Sequence, residues 1–366
     1  MTPSARTKKS LLPDARELTG GAVAAFLLLL LVPDSAWAWG PATHVYLSTE
    51  ILRSLHLLGA PTAALLAAHP EKFVYGSMAP DISLAKKYAE VGRHSHYWHV
   101  GWEMWEEAKG RPPLRAAALG YLSHLAADVV AHTSFVPRML LVTSSTKSVG
   151  HSYWEHRMDA GLGPGYMTTA RRLVTDEDHA EADRMFSAVK SRTLFSFDTN
   201  RQIFEGLVQL SYADGWQSLF DTMIDNSRWG LRTEERRRYL SHSFEAVADF
   251  LVNREAAEVT SGDPTGDREI PEAKQRRRRV LRDGGWRDPE VLEEAADELF
   301  PLPSGETPLW DSRTPPEAEG EVELELGPPA EERESEGGRG RADDGSDEPL
   351  VRDSAGGTSR GARRPA

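Results

Sequence analysis

The sequence predicts an all-α fold: one helical domain followed by a disordered C-terminal tail. Three observations carry that expectation. Apolar residues recur at helical spacing through most of residues 43–253, with no convincing alternating strand between them. One long stretch, Leu114 to Phe135, is apolar on most sides, as a central buried helix should be. Beyond about Ser261 the chain turns to Pro, Gly, Glu, Asp and Arg with few aromatics, a composition that cannot bury enough apolar surface to order itself.

Taken from the start, Arg6, Lys8, Lys9 and Arg16 precede an apolar run from Ala22 to Val32, and Ala36-Trp37-Ala38 follows it. This pattern reads as a signal peptide: the run is short for a bilayer span, and Ala36 and Ala38 place small residues where a signal peptidase needs them. Residues 1–38 are then removed, the mature chain begins at Trp39, and the protein is exported to the periplasm or secreted. Helices are predicted for Thr43 to Leu58, with Val45, Leu47, Ile51, Leu52 and Leu55 on one face, and for Pro61 to Ala68, opened by its proline. A loop is expected next, with Met78-Ala79-Pro80-Asp81 and His94-Ser95-His96-Tyr97-Trp98-His99 in or beside irregular segments. Helices follow over Gly101 to Lys109, Leu114 to Phe135, Ser148 to Asp159, His179 to Ser191, Arg201 to Ile224 and Glu234 to Asn253. The organisation is therefore a signal peptide at 1–38, a helical domain at 39–260, and a mostly disordered tail at 261–366. Within the tail, Val291 to Leu299 is a single amphipathic candidate. The basic run Lys274 to Arg279 reads as a solvated charge run rather than a peripheral membrane contact.

Composition bounds the chemistry. A formal net charge of −13 over 366 residues argues against holding nucleic acid by phosphate neutralisation. With no cysteine there is no disulfide, no thiolate metal site and no Cys nucleophile, so any transition metal must be held by His, Asp, Glu or backbone groups.

The histidines are not evenly spread. Ten of the twelve lie between His44 and His156, among Asp81, Asp128 and Glu155. His124, Asp128 and His132 follow one another at i, i+4 steps, each turning about 40° around a helix, so all three share a face. His151 and Glu155 repeat the step. Buried imidazole or carboxylate in an apolar helix is costly unless paired or metal-bound. His156 and Asp159 compete with His151 and Glu155 for such a role, and a lone Asp81 after Pro80 is otherwise a turn residue or helix cap.

The series Trp39-Gly40-Pro41-Ala42-Thr43-His44, Ala79-Pro80-Asp81, Ser95-His96-Tyr97, His124-x-x-x-Asp128-x-x-x-His132 and His151-x-x-x-Glu155 resembles the zinc-dependent phospholipase C family, whose superfamily includes the single-strand-specific zinc nucleases. The resemblance covers Trp39 to Asp159. It implies an all-α domain around a multinuclear site with three zinc ions. The first would be held by Asp81, His96, His124 and Asp128, and the second by His132, His151 and Glu155. The third would take the α-amino nitrogen and carbonyl oxygen of Trp39 with His44, Asp128 bridging back to the first. Of His94, His96 and His99, His96 has the matching context. His124 and His132 stand eight residues apart, closer than in the secreted bacterial phospholipases and the nucleases, and as in the glycosyl-phosphatidylinositol phospholipase D branch.

The resemblance further implies a phosphodiesterase in which metal-activated water attacks phosphorus and Asp81 orients or deprotonates that water. Phospholipid, or another phosphodiester, is the expected substrate. A nuclease or 3'-nucleotidase acting on nucleic acid, and a zinc-binding protein with little catalytic activity, are the alternatives. Tyr97, Trp98, Trp102 and Trp154 are candidates for an aromatic wall around a choline head group, with core packing expected for at least two of them.

Overall fold

The computed structural model describes residues 39–83, 89–143, 149–175, 179–190, 195–210, 227, 229–284, 290–304 and 320–326. The signal peptide expected at 1–38 lies outside them, as do the end of the helix expected to reach Ile224 and most of the tail. No β-strand occurs among the described residues.

The architecture is organised around α5 (Pro112–Val130), which opens on two prolines at its first positions, where their missing N–H groups cost no hydrogen bond. From Ala116 to Val130 every residue of it is buried. The helix runs on through a π turn (Ala131–Phe135) into α6 (Val136–Thr143). The proline at 137 accounts for the position of the wider turn: it has no N–H to donate, and its ring would crowd the carbonyl of Thr133 in a regular α-helix. Together these elements make one helix long and apolar enough to cross a membrane, but 83% of its apolar window is buried inside the protein. It is a core helix.

Around α5 stand α1 (Pro41–Arg53), α2 (Ala60–Ala68), α3 (Pro70–Met78), α4 (Trp98–Glu107) and α11 (Thr233–Asn253). Between α6 and α11 the chain forms α7 (Val149–Ala160), α8 (Pro164–Thr175), α9 (Ala180–Val189) and α10 (Phe197–Leu210). The helix α3 stands where a loop was expected. Pro70 opens it, and Gly76 is the point at which it meets α5. A Cβ on Gly76 would sit 2.0 Å from the carbonyl oxygen of Ala117, and one on Gly120 would sit 2.0 Å from that of Phe73. The two backbones therefore touch, and only glycine at both positions allows it.

The boundary expected at residue 260 does not end the packed structure. Two helices lie beyond it, α12 (Glu269–Arg282) and α13 (Glu290–Leu299), and both pack on α6. Ala273, Val280, Leu292, Ala295, Ala296 and Phe300 close around Leu141 to make a small second core. The basic run is partly structural rather than solvated. Arg277 donates to the carbonyls of Leu141 at 2.8 Å and Val142 at 2.7 Å, satisfying acceptors that the end of α6 leaves open. Arg276 pairs with Glu298 at 3.0 Å, whereas Arg278 and Arg279 are exposed. Farther on, the Val322 N–H donates to Thr169 Oγ1 at 2.9 Å and Glu321 pairs with Arg172 at 2.6 Å. Residues 305–319 and 327–366 lie outside the described residues.

Gly120→Ala tests the contact between α3 and α5. The gain in helix propensity, about 1 kcal/mol, should be outweighed by overpacking of about 1–3 kcal/mol. The variant should therefore unfold at lower urea concentration than the wild type, whereas Gly59→Ala, which meets no atom within 4 Å, should not show that loss.

Candidate metal centre

Each donor reaches the centre from a different element. His44 projects from the first turns of α1, Asp81 from a 3-10 turn (Ala79–Ile82) after α3, and His96 from the segment entering α4. His124 and Asp128 project from α5, His132 from the π turn, and His151 and Glu155 from α7. All eight side chains are buried. They form three groups whose donor atoms lie within 4.8 Å of one another: His44, His124 and Asp128; Asp81, His96 and His124; and His132, His151 and Glu155. His124 belongs to two of them.

Asp128 is the hub of the first two groups. Its carboxylate lies 3.4 Å from His44 Nε2, 3.2 Å from His96 Nε2 and 3.1 Å from His124 Nε2. His96 Nε2 also lies 3.3 Å from Asp81 Oδ1. In the third group His151 Nε2 stands 3.0 Å from Glu155 Oε1, and the rings of His132 and His151 meet edge to face at 5.2 Å. Ligands about 2.0 to 2.1 Å from a tetrahedral zinc stand roughly 3.3 Å apart, which is the spacing seen here. His44 Nε2 and both oxygens of Asp128 are buried without a hydrogen bond to a protein group. Such orphaned atoms are costly unless something binds them, and a nitrogen and oxygen donor set without sulfur suits zinc.

The opposite ring nitrogens are held from behind. His124 Nδ1 donates to the carbonyl of Ser77 at 2.7 Å, and His132 Nδ1 to that of Pro264. Since a carbonyl only accepts, both rings carry their proton on Nδ1 and present Nε2 to the centre. His96 Nδ1 pairs with Ser95 Oγ at 3.1 Å. These partners of the donors are missed by sequence reasoning because backbone carbonyls have no residue signature. Among the three candidates near residue 96, only His96 joins Asp81 and Asp128. His94 Nδ1 accepts the N–H of His96 at 3.1 Å, and His99 Nε2 donates to the Gly92 carbonyl at 2.6 Å, at the surface.

Asp159, a competitor for the third group, caps α1 instead. It accepts from the N–H groups of Ala42 at 3.2 Å and Thr43 at 3.0 Å and from Thr43 Oγ1 at 2.6 Å. Gly40 makes room for it, since a Cβ there would sit 2.0 Å from Asp159 Oδ2. Trp39 is buried beside this cap. Its indole donates to the carbonyl of Ala127 at 3.0 Å, one residue before Asp128, and packs on Phe135. Of the aromatic candidates, Trp154 is buried against Phe135, while Trp98 and Trp102 lie on Phe250. Trp98 Nε1 also donates to Gly262. These three are packing groups; Tyr97 is half-buried.

Eight buried donors in this order, three of them on one central helix and its π turn, decide the comparison. Residues 43–197 match the zinc dependent phospholipase C family. The matched span contains all eight side-chain donors and leaves Trp39 and the segment after Phe197 outside. No curated protein and no solved structure matches the chain. The zinc-dependent phospholipase C match supports a phospholipase C-like hydrolase, acting on a phosphodiester with zinc as its metal.

Burial and the neighbouring His124 push the His44 imidazole down from 6.5 to about 4, against the opposing pull of Asp128. Asp128 itself, which burial alone would raise, is held well below the usual carboxylate range by His124, His44 and His96. Asp159 moves the other way, raised by burial to about 6 despite its three hydrogen bonds. In metal-free protein His44 thus contributes stability that is present above pH 6.5 and lost as pH falls through about 4. Asp159 contributes stability that is present below 3.8 and lost as pH rises through about 6, so these two groups oppose each other in the wild type. Comparison with His44→Gln isolates the first group. Urea denaturation should show the wild type losing about 3 kcal/mol relative to that variant between pH 7 and pH 4; an unchanged difference would mean that water reaches the ring.

Proposed function

We propose that the chain is an exported phosphodiesterase that holds three zinc ions and hydrolyses the head-group phosphodiester of a phospholipid. The observation that carries this reading is that His124 belongs to two donor groups inside the family-matched span, with the Asp128 carboxylate 3.4 Å from His44 Nε2 and 3.2 Å from His96 Nε2 between them. A shared donor supports two metal sites side by side, an arrangement that stabilises both the attacking and the leaving oxygen of an in-line displacement at phosphorus. Asp81, His96, His124 and Asp128 hold one ion, and His132, His151 and Glu155 a second. His44 and Asp128 hold the third together with the freed α-amino nitrogen and carbonyl oxygen of Trp39.

Zinc, when bound, supplies a nucleophile at neutral pH by lowering the pKa of coordinated water, and offsets charge on the phosphate oxygens. The chain's own part is orientation and proton handling. Ser77 and Pro264 fix the tautomers of His124 and His132. Asp81, buried and 3.3 Å from His96 Nε2, is the carboxylate to which this reading gives the orientation or deprotonation of the attacking water. The formal net charge of −13 disfavours a polyanionic nucleic-acid substrate, and this favours lipid.

Export enters through Trp39. Its burial beside Asp128's helix and the tight start of α1, where the Gly40 carbonyl accepts from Thr43 at 3.1 Å and His44 at 3.3 Å, support an α-amino ligand delivered by signal cleavage after Ala38. The purified exported protein should begin at Trp39 on Edman sequencing, while a precursor retaining residues 1–38 should carry one zinc fewer by elemental analysis. A different mature start would remove the third ion from the scheme.

Activity should be abolished by chelation and restored by zinc. In the same assays a choline phosphodiester should be cleaved in preference to single-stranded DNA, and the reverse preference would establish the nuclease instead. Asp81→Asn should lower kcat by about 100-fold or more, the usual contribution of a positioned general base.

A further inference from the structure

The first residues of the supposed tail form a strap across the third donor group. Gly262 is pressed against α5, where a Cβ would meet Val129 Cγ1 at 2.4 Å, and its carbonyl accepts from Trp98 Nε1 at 2.9 Å. Gly266, at φ +63°, lies against His132 itself, so that a Cβ there would sit 2.7 Å from the His132 carbonyl oxygen. Between these two pins the backbone is shaped by one side chain. Asp263 Oδ1 accepts from the Thr265 N–H at 2.9 Å and from Thr265 Oγ1 at 2.7 Å, and Oδ2 accepts from the Asp267 N–H at 3.0 Å. The turn so formed aims the carbonyl of Pro264, the residue between, at His132 Nδ1.

We propose that residues Gly262 to Gly266 set the tautomer and ring orientation of His132, and that Asp263 is a positioning residue for the metal held by His132, His151 and Glu155. The inference rests on the metal reading of that group. It assigns a role to a segment that lies wholly outside the family-matched residues. The physics is that of any metal-bound imidazole: the ring binds through one nitrogen only while the other gives its proton to a fixed acceptor, and loss of such an acceptor costs about 10- to 100-fold in metal affinity. The strap is an unusual acceptor because it is itself held by a turn. α12, which starts immediately after it, packs on both the π turn and α6, so the carbonyl and the ring that it faces are clamped by the same segment.

Zinc affinity of the full-length chain, measured by competition with a chromophoric chelator, tests this with three variants. His132→Ala should lose one zinc. Asp263→Ala should keep all ions but bind one of them about 10- to 100-fold more weakly, and Gly266→Ala, which leaves Asp263 in place and displaces the same carbonyl, should do likewise. In metal-free protein, ¹⁵N-detected imidazole spectra should show His132 as a single Nδ1–H tautomer in the wild type and as a mixture in Asp263→Ala. Wild-type zinc affinity and an unchanged tautomer in folded Asp263→Ala and Gly266→Ala overturn the strap. Undiminished zinc in His132→Ala overturns the metal group on which the strap rests, a separate outcome.

Discussion

Eight imidazole and carboxylate side chains taken out of water into the middle of an apolar helical core are the constraint on which this structure turns. Each buried ionisable group that is left without a partner costs free energy on the scale of the whole protein's net stability. The fold meets that cost in two ways. It gathers the donors so closely that Asp128 stands within 3.1–3.4 Å of three imidazole nitrogens, and it leaves among them the spacing of a metal's coordination sphere.

Gathering donors requires backbones to approach. α3 can lie directly on α5 because glycine occupies both sides of the contact, at 76 and 120. That approach brings the Ser77 carbonyl onto His124 and holds the Asp81 turn at the end of α3 over the same helix. The close crossing of two helices and the tautomer of a donor are thus one feature. The same logic recurs at the other end of α5, where Pro137 forces a wider turn, the turn carries His132, and the Pro264 carbonyl closes over the ring.

The C-terminal segment extends this arrangement beyond the family-matched residues. Its Arg277 satisfies two open carbonyls of α6, its few apolar residues close around Leu141, and its first turn meets the centre. Charge-rich composition concealed all of this. A helix such as α12 needs only Glu269, Ala273, Lys274 and Val280 buried when a neighbouring helix is already in place to receive it, and average hydrophobicity does not register so narrow a contact.

From the sequence alone came the helical class, the core helix, and the spacing that sets His124, Asp128 and His132, and His151 and Glu155, on helix faces; His44, Asp81 and His96 stood out only through the family resemblance. i, i+4 spacing and burial are local properties, and a polar residue in an apolar helix declares itself without reference to the rest of the chain. Tertiary structure decided what local periodicity could not. Periodicity put His124, Asp128 and His132 on one face, and the π turn carries His132 beside His151 and Glu155, the grouping that the family resemblance implied. Asp159 stands one helical turn after Glu155 but turns to the start of α1, and of the four aromatic candidates, at least two of which were expected to pack, it is Trp98, Trp102 and Trp154 that do. Those assignments depend on which backbone atoms another element brings near. Carbonyl oxygens such as those of Ser77 and Pro264 are present at every residue, so only the fold selects the two that matter.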